Sequence, residues 1–382
     1  MMQKPKLLLV ADTYYPKVDG TLRFIEEFIK RAHRDFDLSL LVPDYGIKRG
    51  NKVRYLEVSR KLKISDYASI KFSKKNIKLI KEAVKEADIV FVQGPALASF
   101  LGVRYAHKYN KKVIFYTHTL TWELFAKFFP KWLNWLLFRI LRGLTFHYYN
   151  RCQSIYVPYQ GLKEKLIDEG VRSKIEVARL GVDINRFTPV RDKKAAKAKL
   201  GIDADSFVIG YVGRISKEKN TKMLLEAFER VNKSRDVYLL MVGDGPEDQV
   251  KQFKEHKNCL VTGFVHNVEH FLQAMDLFVM PSLTETTSLV TLEAMATGLP
   301  VIATKVGFMQ KYIIKNYNGT FVPRKSIALL AVKIDKLIKD QELRVKLGTN
   351  ARRTIAYSFS WDRSINKIKR LILQDYHQEE EA

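Results

Sequence analysis

The sequence predicts an α/β protein made of two Rossmann-like, parallel-sheet domains. Three observations predict it. Short apolar runs alternate with amphipathic stretches along the whole chain. The alternation runs through once, stops, and starts again. Between the two passes lies "RFTPVRDKKAAKAKLGIDADS", a charged stretch with a proline and turn residues. In the first pass "KLLLVAD" is a strand, followed by a loop and the helix "GTLRFIEEFIKRA". "DLSLLVP", the helix "NIKLIKEAVKEA", "DIVFVQGP", "KKVIFYTH", "SIYVPY" and "KIEVARLGVD" follow. The second pass reads "FVIGYVGR", helix "NTKMLLEAFERVNK", "VYLLMVGDG", "CLVTGFV", helix "NVEHFLQAM", "DLFVMPS", a helix through "LEAMATG", and "PVIATKV". Continuous apolar runs without polar alternation suit strands buried on both faces of a parallel sheet. The domains are expected at 1–190 and 200–357. The long amphipathic helix in "FSWDRSINKIKRLILQDY", about 358–376, is expected to return to the first domain.

The 382 residues suit two domains, and a 46% hydrophobic share supplies two cores. The two cysteines, Cys152 and Cys259, form no disulfide framework and point to a reducing, cytoplasmic setting. The first apolar run stops at Asp12, too soon for a signal h-region or a membrane span. Net charge is +25. Residues 1–190 hold 35 Lys and Arg against 18 Asp and Glu; residues 191–382 hold 31 against 23. Such an excess attracts polyanions, a nucleic acid or an anionic membrane surface, and it also serves plain solubility. No recognised nucleic-acid motif accompanies it. A non-catalytic nucleic-acid binder therefore ranks last, and no nucleic-acid partner is expected.

The stretch with the most chemistry is "ETTSLVTLE", residues 285–293. It follows a buried strand and runs into a helix. Glu285 sits just after the strand, Thr286, Thr287 and Ser288 form the bend, and Glu293 falls about one turn inside the helix. A helix start presents free N–H groups and favours anions. Two carboxylates flanking such a site make little sense for phosphate alone. They suit a ligand with hydroxyls on both sides of its phosphates, as a nucleotide sugar has. A second motif, "GYVGRISKEKN", ends a strand at Gly213 and places Arg214 and Lys219 in a loop before a helix, where two cations suit a diphosphate. "MVGDGPE" is a strand followed by a glycine turn.

The order of these motifs resembles the retaining, nucleotide-sugar-dependent glycosyltransferases of the GT-B fold, nearly end to end and most strongly over 209–323. The resemblance also extends to members that glycosylate membrane lipids, through the "TET" spelling around Glu285. It implies two Rossmann-like domains facing a cleft. It implies that Arg214 and Lys219 hold the donor diphosphate and stabilise it as it leaves. Glu285 would contact the donor sugar, Glu293 the ribose, and the amides of Thr286, Thr287, Ser288 and Leu289 the diphosphate. Many members carry glycines where this chain has Thr286, Thr287 and Ser288. In the first domain, Gly20 in "YYPKVDGTLRF" would let backbone approach the donor phosphate, and His118 in "FYTHTLTWEL" would face the reacting sugar. The segment "RLGVDINRF" would close the first domain. The catalytic set is thus expected to be Glu285, His118, Arg214 and Lys219, and the donor set to include Gly20 and Gly213. No metal or other cofactor is expected: the literal strings "DFD" and "DAD" lie in a strand start and in the linker, and no Cys/His cluster has zinc spacing.

The acceptor side is sought in "TWELFAKFFPKWLNWLLFRILRGLTFHYYNR", 121–151, which holds three of the four tryptophans. As a helix, it puts Lys131, Trp135, Arg139 and Arg142 on one stripe, beside Trp132. Cations beside tryptophan suit an anionic bilayer interface, and Arg139 and Arg142 interrupt any span. A second basic stripe is Lys74, Lys78, Lys81 and Lys85. The expectation is a peripheral enzyme on the cytoplasmic membrane face. It would move a hexose, from UDP-glucose first and GDP-mannose next, to a lipid head group such as diacylglycerol or a phospholipid. The alternative is a soluble or polyprenyl-linked saccharide acceptor; an epimerase of the same fold is a further reading. Oligomeric state leaves no mark on the sequence.

Overall fold

The computed structural model describes residues 4–16, 20–64, 67–94, 96–117, 131–232 and 237–377, with side chains at 60–68 and 131–138 outside the description. The chain divides into two compact units, Met1–Arg179 with Ser364–Ala382, and Leu180–Arg363. The segment 180–190, placed by sequence with the first domain, therefore belongs to the second unit. Its neighbours explain this. Arg352 donates to the carbonyls of Ile184, Phe187 and Ala296, and Val182 bridges Ser360.

The first unit runs β1 (Lys6–Ala11), α1 (Gly20–Ala32), β2 (Asp37–Pro43), β3 (Val53–Leu56), β4 (Val58–Ile64) and β5 (Tyr67–Ile70). It continues through α2 (Lys74–Glu86), β6 (Ile89–Gln93), α3 (Leu97–Lys108), β7 (Lys112–Tyr116), α4 (Lys131–Tyr149), β8 (Ser154–Val157), α5 (Gln160–Asp168) and β9 (Lys174–Val177). Seven strands form one parallel sheet in the order β3-β2-β1-β6-β7-β8-β9, and β4 and β5 form an antiparallel pair. Central strands such as β6 are buried at every residue, so their apolar runs read without alternation.

The chain reverses its winding between β1 and β6. There Asp12, just past β1, caps α3. Its carboxylate accepts from the N–H groups of Ala96 (3.0 Å), Ala98 (2.8 Å) and Ser99 (3.3 Å) and from the Ser99 hydroxyl. The N-cap residue Ala96 offers no side-chain cap, so a carboxylate 84 residues away in sequence replaces it. Asp12→Ala is expected to cost about 2–3 kcal/mol, a lost cap with charged hydrogen bonds. Asp12→Asn should recover part of that, which chemical denaturation of both variants would measure.

The second unit runs α6 (Lys193–Ala198), β10 (Phe207–Val212), α7 (Thr221–Asn232), β11 (Val237–Val242), α8 (Glu247–Lys254), β12 (Cys259–Val261) and α9 (Val268–Ala274). It continues through β13 (Leu277–Met280), α10 (Leu289–Ala296), β14 (Val301–Thr304), α11 (Met309–Tyr312), β15 (Gly319–Val322), α12 (Ile327–Lys339), α13 (Gln341–Ser358) and α14 (Trp361–His377). Its parallel sheet has the order β12-β11-β10-β13-β14-β15. The winding reverses between β10 and β13. Ligands of open α/β sheets bind outside the carboxyl ends of the strands at such a reversal.

The last helix starts in the second unit and, from Ser364 on, packs within the first. Asp375, 1% exposed, accepts from Tyr156 (2.9 Å) and pairs with Lys174 (3.1 Å). Lys112 reaches the carbonyls of Asp375 and Tyr376, and Lys369 pairs with Asp35. The returning helix expected from sequence is present.

Candidate functional site

Two loops leave the sheet at the β10–β13 reversal, and both carry predicted residues. After β10 the chain turns at Gly213, with φ +142. The neighbouring turn after β11 packs against it backbone to backbone. A Cβ at Gly243 would lie 2.1 Å from the Gly213 carbonyl oxygen, and one at Gly245 would lie 2.0 Å from that of Ile215. The "GDG" string, a plain turn signal in sequence, thus has a steric cause. The Ile215 N–H donates to the Asp244 carbonyl, and the Tyr211 hydroxyl donates to that of Arg214, fixing the loop. Arg214 is exposed and Lys219 half-buried. Asn220 then adopts φ +53 to start α7, and its amide donates to the carbonyls of Pro281 (3.1 Å) and Arg324 (2.9 Å).

The second loop follows β13. Leu283 N–H donates to the Glu218 carbonyl, and the Thr284 hydroxyl donates to the Glu218 carboxylate, so the two loops are zipped together. The result is an ion pair. Lys219 Nζ lies 2.6 Å from Glu285 Oε1, which also accepts from the Ser282 hydroxyl at 2.9 Å. The pair is mostly shielded, Lys219 at 27% and Glu285 at 10% side-chain exposure. Tyr211 and Tyr312 both feel the Glu285 charge. Burial first, and then that carboxylate, hold both phenols well above their usual pKa, so they stay protonated donors.

The bend 286–288 is held from behind. Tyr312 donates to the carbonyls of Thr287 (2.8 Å) and Ser288 (3.4 Å), and the Phe308 N–H donates to that of Thr286 (2.7 Å). Gly307, at φ +53, lets this happen: a Cβ there would lie 2.0 Å from the Glu285 carbonyl oxygen and 2.6 Å from that of Thr286.

Ser288 is the N-cap of α10 in the left-handed conformation, φ 56 and ψ 75, and makes no side-chain cap bond. Its hydroxyl pairs instead with that of Thr291 at 2.8 Å. The N–H groups of Leu289 and Val290 precede the first intrahelical bonds, which Thr291 and Leu292 make to the Ser288 carbonyl, so the start of the helix is equipped for an anion. Thr287 adds to this. It is 2% exposed and its hydroxyl has no hydrogen-bond partner among the described residues, a cost of about 1–3 kcal/mol that a ligand would relieve. The glycine missing from this turn is therefore missed by the backbone: Ser288 takes the glycine conformation at a cost of about 1–2 kcal/mol. Ser288→Gly should raise the melting temperature, by less than the full strain because the Thr291 hydrogen bond goes with it.

The structure brings Lys219 and Glu285 together directly. It sets Gly213 and Arg214 in the same loop system, and Thr286, Thr287, Ser288 and Leu289 at the start of α10. Glu293 lies within α10, 7% exposed. Its field, with the hydrogen-bonded Glu269 carboxylate as the larger cause, raises the Arg186 pKa. Arg186 bonds Glu269 at 2.8 Å and the His266 carbonyl at 2.9 Å, pinning the loop after β12. Sequence reasoning missed Arg186, which it read as structural, along with Asn220, Gly307 and Tyr312. Only Gly307 carried a signal, a glycine after a strand.

In the first unit Gly20 opens α1, and His118 lies outside the described residues. So do the side chains of Lys131, Trp132 and Trp135 on α4. Arg139 is exposed, beside exposed Ile140 and Leu144. Arg142, the last residue of the expected basic stripe, has an acidic partner. It pairs with Glu169 at 2.8 Å, donates to the Glu169 carbonyl at 3.0 Å, and lies over the Phe146 ring. The acid comes from the end of α5, a partner that helical periodicity does not reveal. Among the described residues, no helix is long and apolar enough to cross a membrane, and no group of three or more His, Cys, Asp or Glu could hold a metal ion.

The chain has two parallel-sheet units, the second with a charge pair at its strand-order reversal, and sequence comparison places it in a family. The family model described as Glycosyl transferases group 1 matches residues 192–354, and that described as Glycosyltransferase Family 4 matches 18–186. The chain belongs to these GT-B-fold glycosyltransferases. It is 30% identical over 222 residues to the Escherichia coli UDP-Gal:alpha-D-GlcNAc-diphosphoundecaprenol alpha-1,3-galactosyltransferase, covering 56% of each chain. It is 31% identical over 219 residues to the D-inositol 3-phosphate glycosyltransferase of Salinispora arenicola, covering 51% of this chain and 48% of that one. The chain spans about half the length of the curated relatives it matches. The crystal structure of Anabaena HepE in complex with UDP shares the fold at a TM-score of 0.79 and 19% identity, covering 97% of this chain and 100% of that one.

Proposed function

We propose that this protein transfers a hexosyl group, with retention, from a nucleoside-diphosphate sugar to a saccharide or polyol acceptor that is soluble or carried on a polyprenyl diphosphate. The observation that carries the reading is the Lys219–Glu285 pair beside the uncapped start of α10. As the C1–O bond to the diphosphate breaks, negative charge grows on the leaving phosphate. Arg214, Lys219 and the α10 amides stabilise it where they already stand, the usual source of the largest rate effect. Lys219 has three N–H donors, so it can keep Glu285 while meeting phosphate. Glu285, anchored by Ser282 and Lys219, orients the sugar hydroxyls. The acceptor oxygen forms the new bond to C1 on the same face and gives its proton to the departing phosphate. His118 and Gly20 are assigned to the sugar and the donor phosphate by family resemblance, and Glu293 to the ribose.

The donor is taken to be a UDP-sugar, on the strength of the galactosyltransferase relative, with GDP-mannose next. The acceptor follows the two relatives named above. One uses a diphosphoundecaprenol-linked sugar, the other D-inositol 3-phosphate. Both favour the alternative stated from sequence over diacylglycerol or a phospholipid head group. Peripheral association with a membrane then serves access to a polyprenyl carrier, supported by Arg139 and its exposed apolar neighbours. The test offers labelled UDP-glucose, UDP-galactose and GDP-mannose with a polyprenyl-diphosphate saccharide, D-inositol 3-phosphate, or diacylglycerol in anionic vesicles. Mass spectrometry identifies the product and NMR its anomeric configuration. Transfer to diacylglycerol alone, or an inverted anomer, would overturn this reading.

A further inference from the structure

A second basic cluster lies within the first unit. Near the ends of α3 and α4 a cavity of about 400 Å3 is lined by Arg104, His107, Lys108, His147, Tyr148 and Arg151. In a parallel βαβ unit the helices run against the strands, so helix C-termini sit at the opposite edge of the sheet from the ligand crevice. α3 joins β6 to β7 and α4 precedes β8, so both place their last turns at that opposite edge. The cavity is no part of the donor site.

Its charge is uncompensated. The lining holds three permanent cations, two imidazoles and no carboxylate. Several other cations of this unit are paired, Arg54 with Glu86, Arg142 with Glu169, Lys174 with Asp375 and Lys369 with Asp35. Arg104, Lys108 and Arg151 have no ion pair among the described residues. Arg104, His107 and Lys108 share one face of α3, at spacings of three and four, where like charges repel. Arg151 turns back onto its own helix end, donating to the His147 carbonyl at 3.2 Å and to the His147 ring. Tyr148 is held by stacking on Phe100, ring centroids 4.8 Å apart, and gives the cavity a fixed wall. On the neighbouring α2, Lys81 and Lys85 sit over the Tyr105 and Tyr109 rings of the α3 end.

We propose that this cavity binds a phosphate ester. Two guanidinium groups and an ammonium lining one cavity without an acid suit phosphate oxygens in charge and donor type. The volume falls in the usual range of about 300–1,000 Å3 for small-ligand sites, room for the group that carries the phosphate as well. The phosphate can belong to a soluble metabolite or to a phosphomonoester lipid head group. The assignment is independent of the sugar-transfer reading.

The experiment uses the full chain with UDP present to fill the nucleotide site. Glycerol 3-phosphate binding is measured by calorimetry, and sedimentation measures binding to phosphatidylcholine vesicles with and without phosphatidic acid. The Arg104→Gln/Arg151→Gln variant is compared with Lys222→Gln/Lys251→Gln, which removes the same charge from exposed positions of the other unit. Saturable binding, at least about tenfold weaker in the first variant and unchanged in the second, is expected. Loss seen with glycerol 3-phosphate identifies a soluble ester; loss seen only with phosphatidic acid identifies a head group. Equal weakening in both variants, no weakening in the first, or no binding of either probe to the unmodified chain overturns the proposal.

Discussion

Under the proposed function, replacing Lys219 by alanine is expected to lower sugar-transfer turnover by about 100- to 1,000-fold, the range seen when one preorganised donor to a developing negative charge is removed. The loss falls mainly on kcat. The charge on the leaving phosphate grows in the transition state, so a group that answers it binds that state better than the bound donor. The structure adds a second expectation. Lys219 is also the cation on Glu285, at 2.6 Å. Its removal leaves a carboxylate at 10% side-chain exposure with Ser282 as its remaining side-chain hydrogen-bond partner among the described residues. Stability should fall by about 1–2 kcal/mol, less than for a fully buried pair because Lys219 is 27% exposed. Glu285→Gln should lose turnover too, while keeping more stability, since an amide still accepts from Lys219 and Ser282. The two changes act on one unit, so the double variant should lose clearly less than the product of the two single losses. Steady-state kinetics of the four proteins tests this. Multiplicative losses would mean that Lys219 and Glu285 act independently and that the ion pair is not a functional unit.

The parts of this site legible in the sequence are those written in local order. A strand, a polar bend and a helix over 277–296 are recognisable from apolar runs and bend residues. The spacing from Glu285 to Glu293 follows from them. The double βαβ repeat is equally local, which is why two parallel sheets and the returning helix are readable from patterning. What depends on tertiary neighbours is not. Nothing near Arg142 in sequence announces Glu169, which arrives from the end of another helix. Asp12 reads as the end of a strand, yet it caps α3 from 84 residues away. The Lys219–Glu285 pair spans 66 positions. Sequence supplies both charges but not the fact that they neutralise each other, which changes the reading of Lys219 from a free phosphate ligand to one shared with a carboxylate. The segment 180–190 continues the rhythm of the first domain while its side-chain and backbone partners lie in the second unit.

Gly307→Ala is expected to have the other large effect, and it separates backbone strain from backbone collision. Any residue with a side chain at φ +53 pays about 1–2 kcal/mol. Gly263 sits at φ +70, and a Cβ added there would have nothing within 4 Å, so Gly263→Ala reports that strain alone. At Gly307 the Cβ would meet the carbonyl oxygens of Glu285 at 2.0 Å and Thr286 at 2.6 Å. These are backbone atoms with no rotamer to yield. Either the bend or the 306–309 segment must move, and the Phe308-to-Thr286 hydrogen bond lies between them. Moving the bend displaces Glu285 from Lys219 and re-aims the first amides of α10. Gly307→Ala should therefore lose several kcal/mol, on the order of 3–5 for a core backbone clash, against about 1–2 at Gly263. If the protein still folds, donor binding should weaken with it, because the first amides of α10 no longer point where an anion meets them. Thermal unfolding and UDP binding of the two variants measure both effects. Equal destabilisation with unchanged nucleotide affinity would show that the 306–309 segment gives way freely and that the bend is not supported through Gly307.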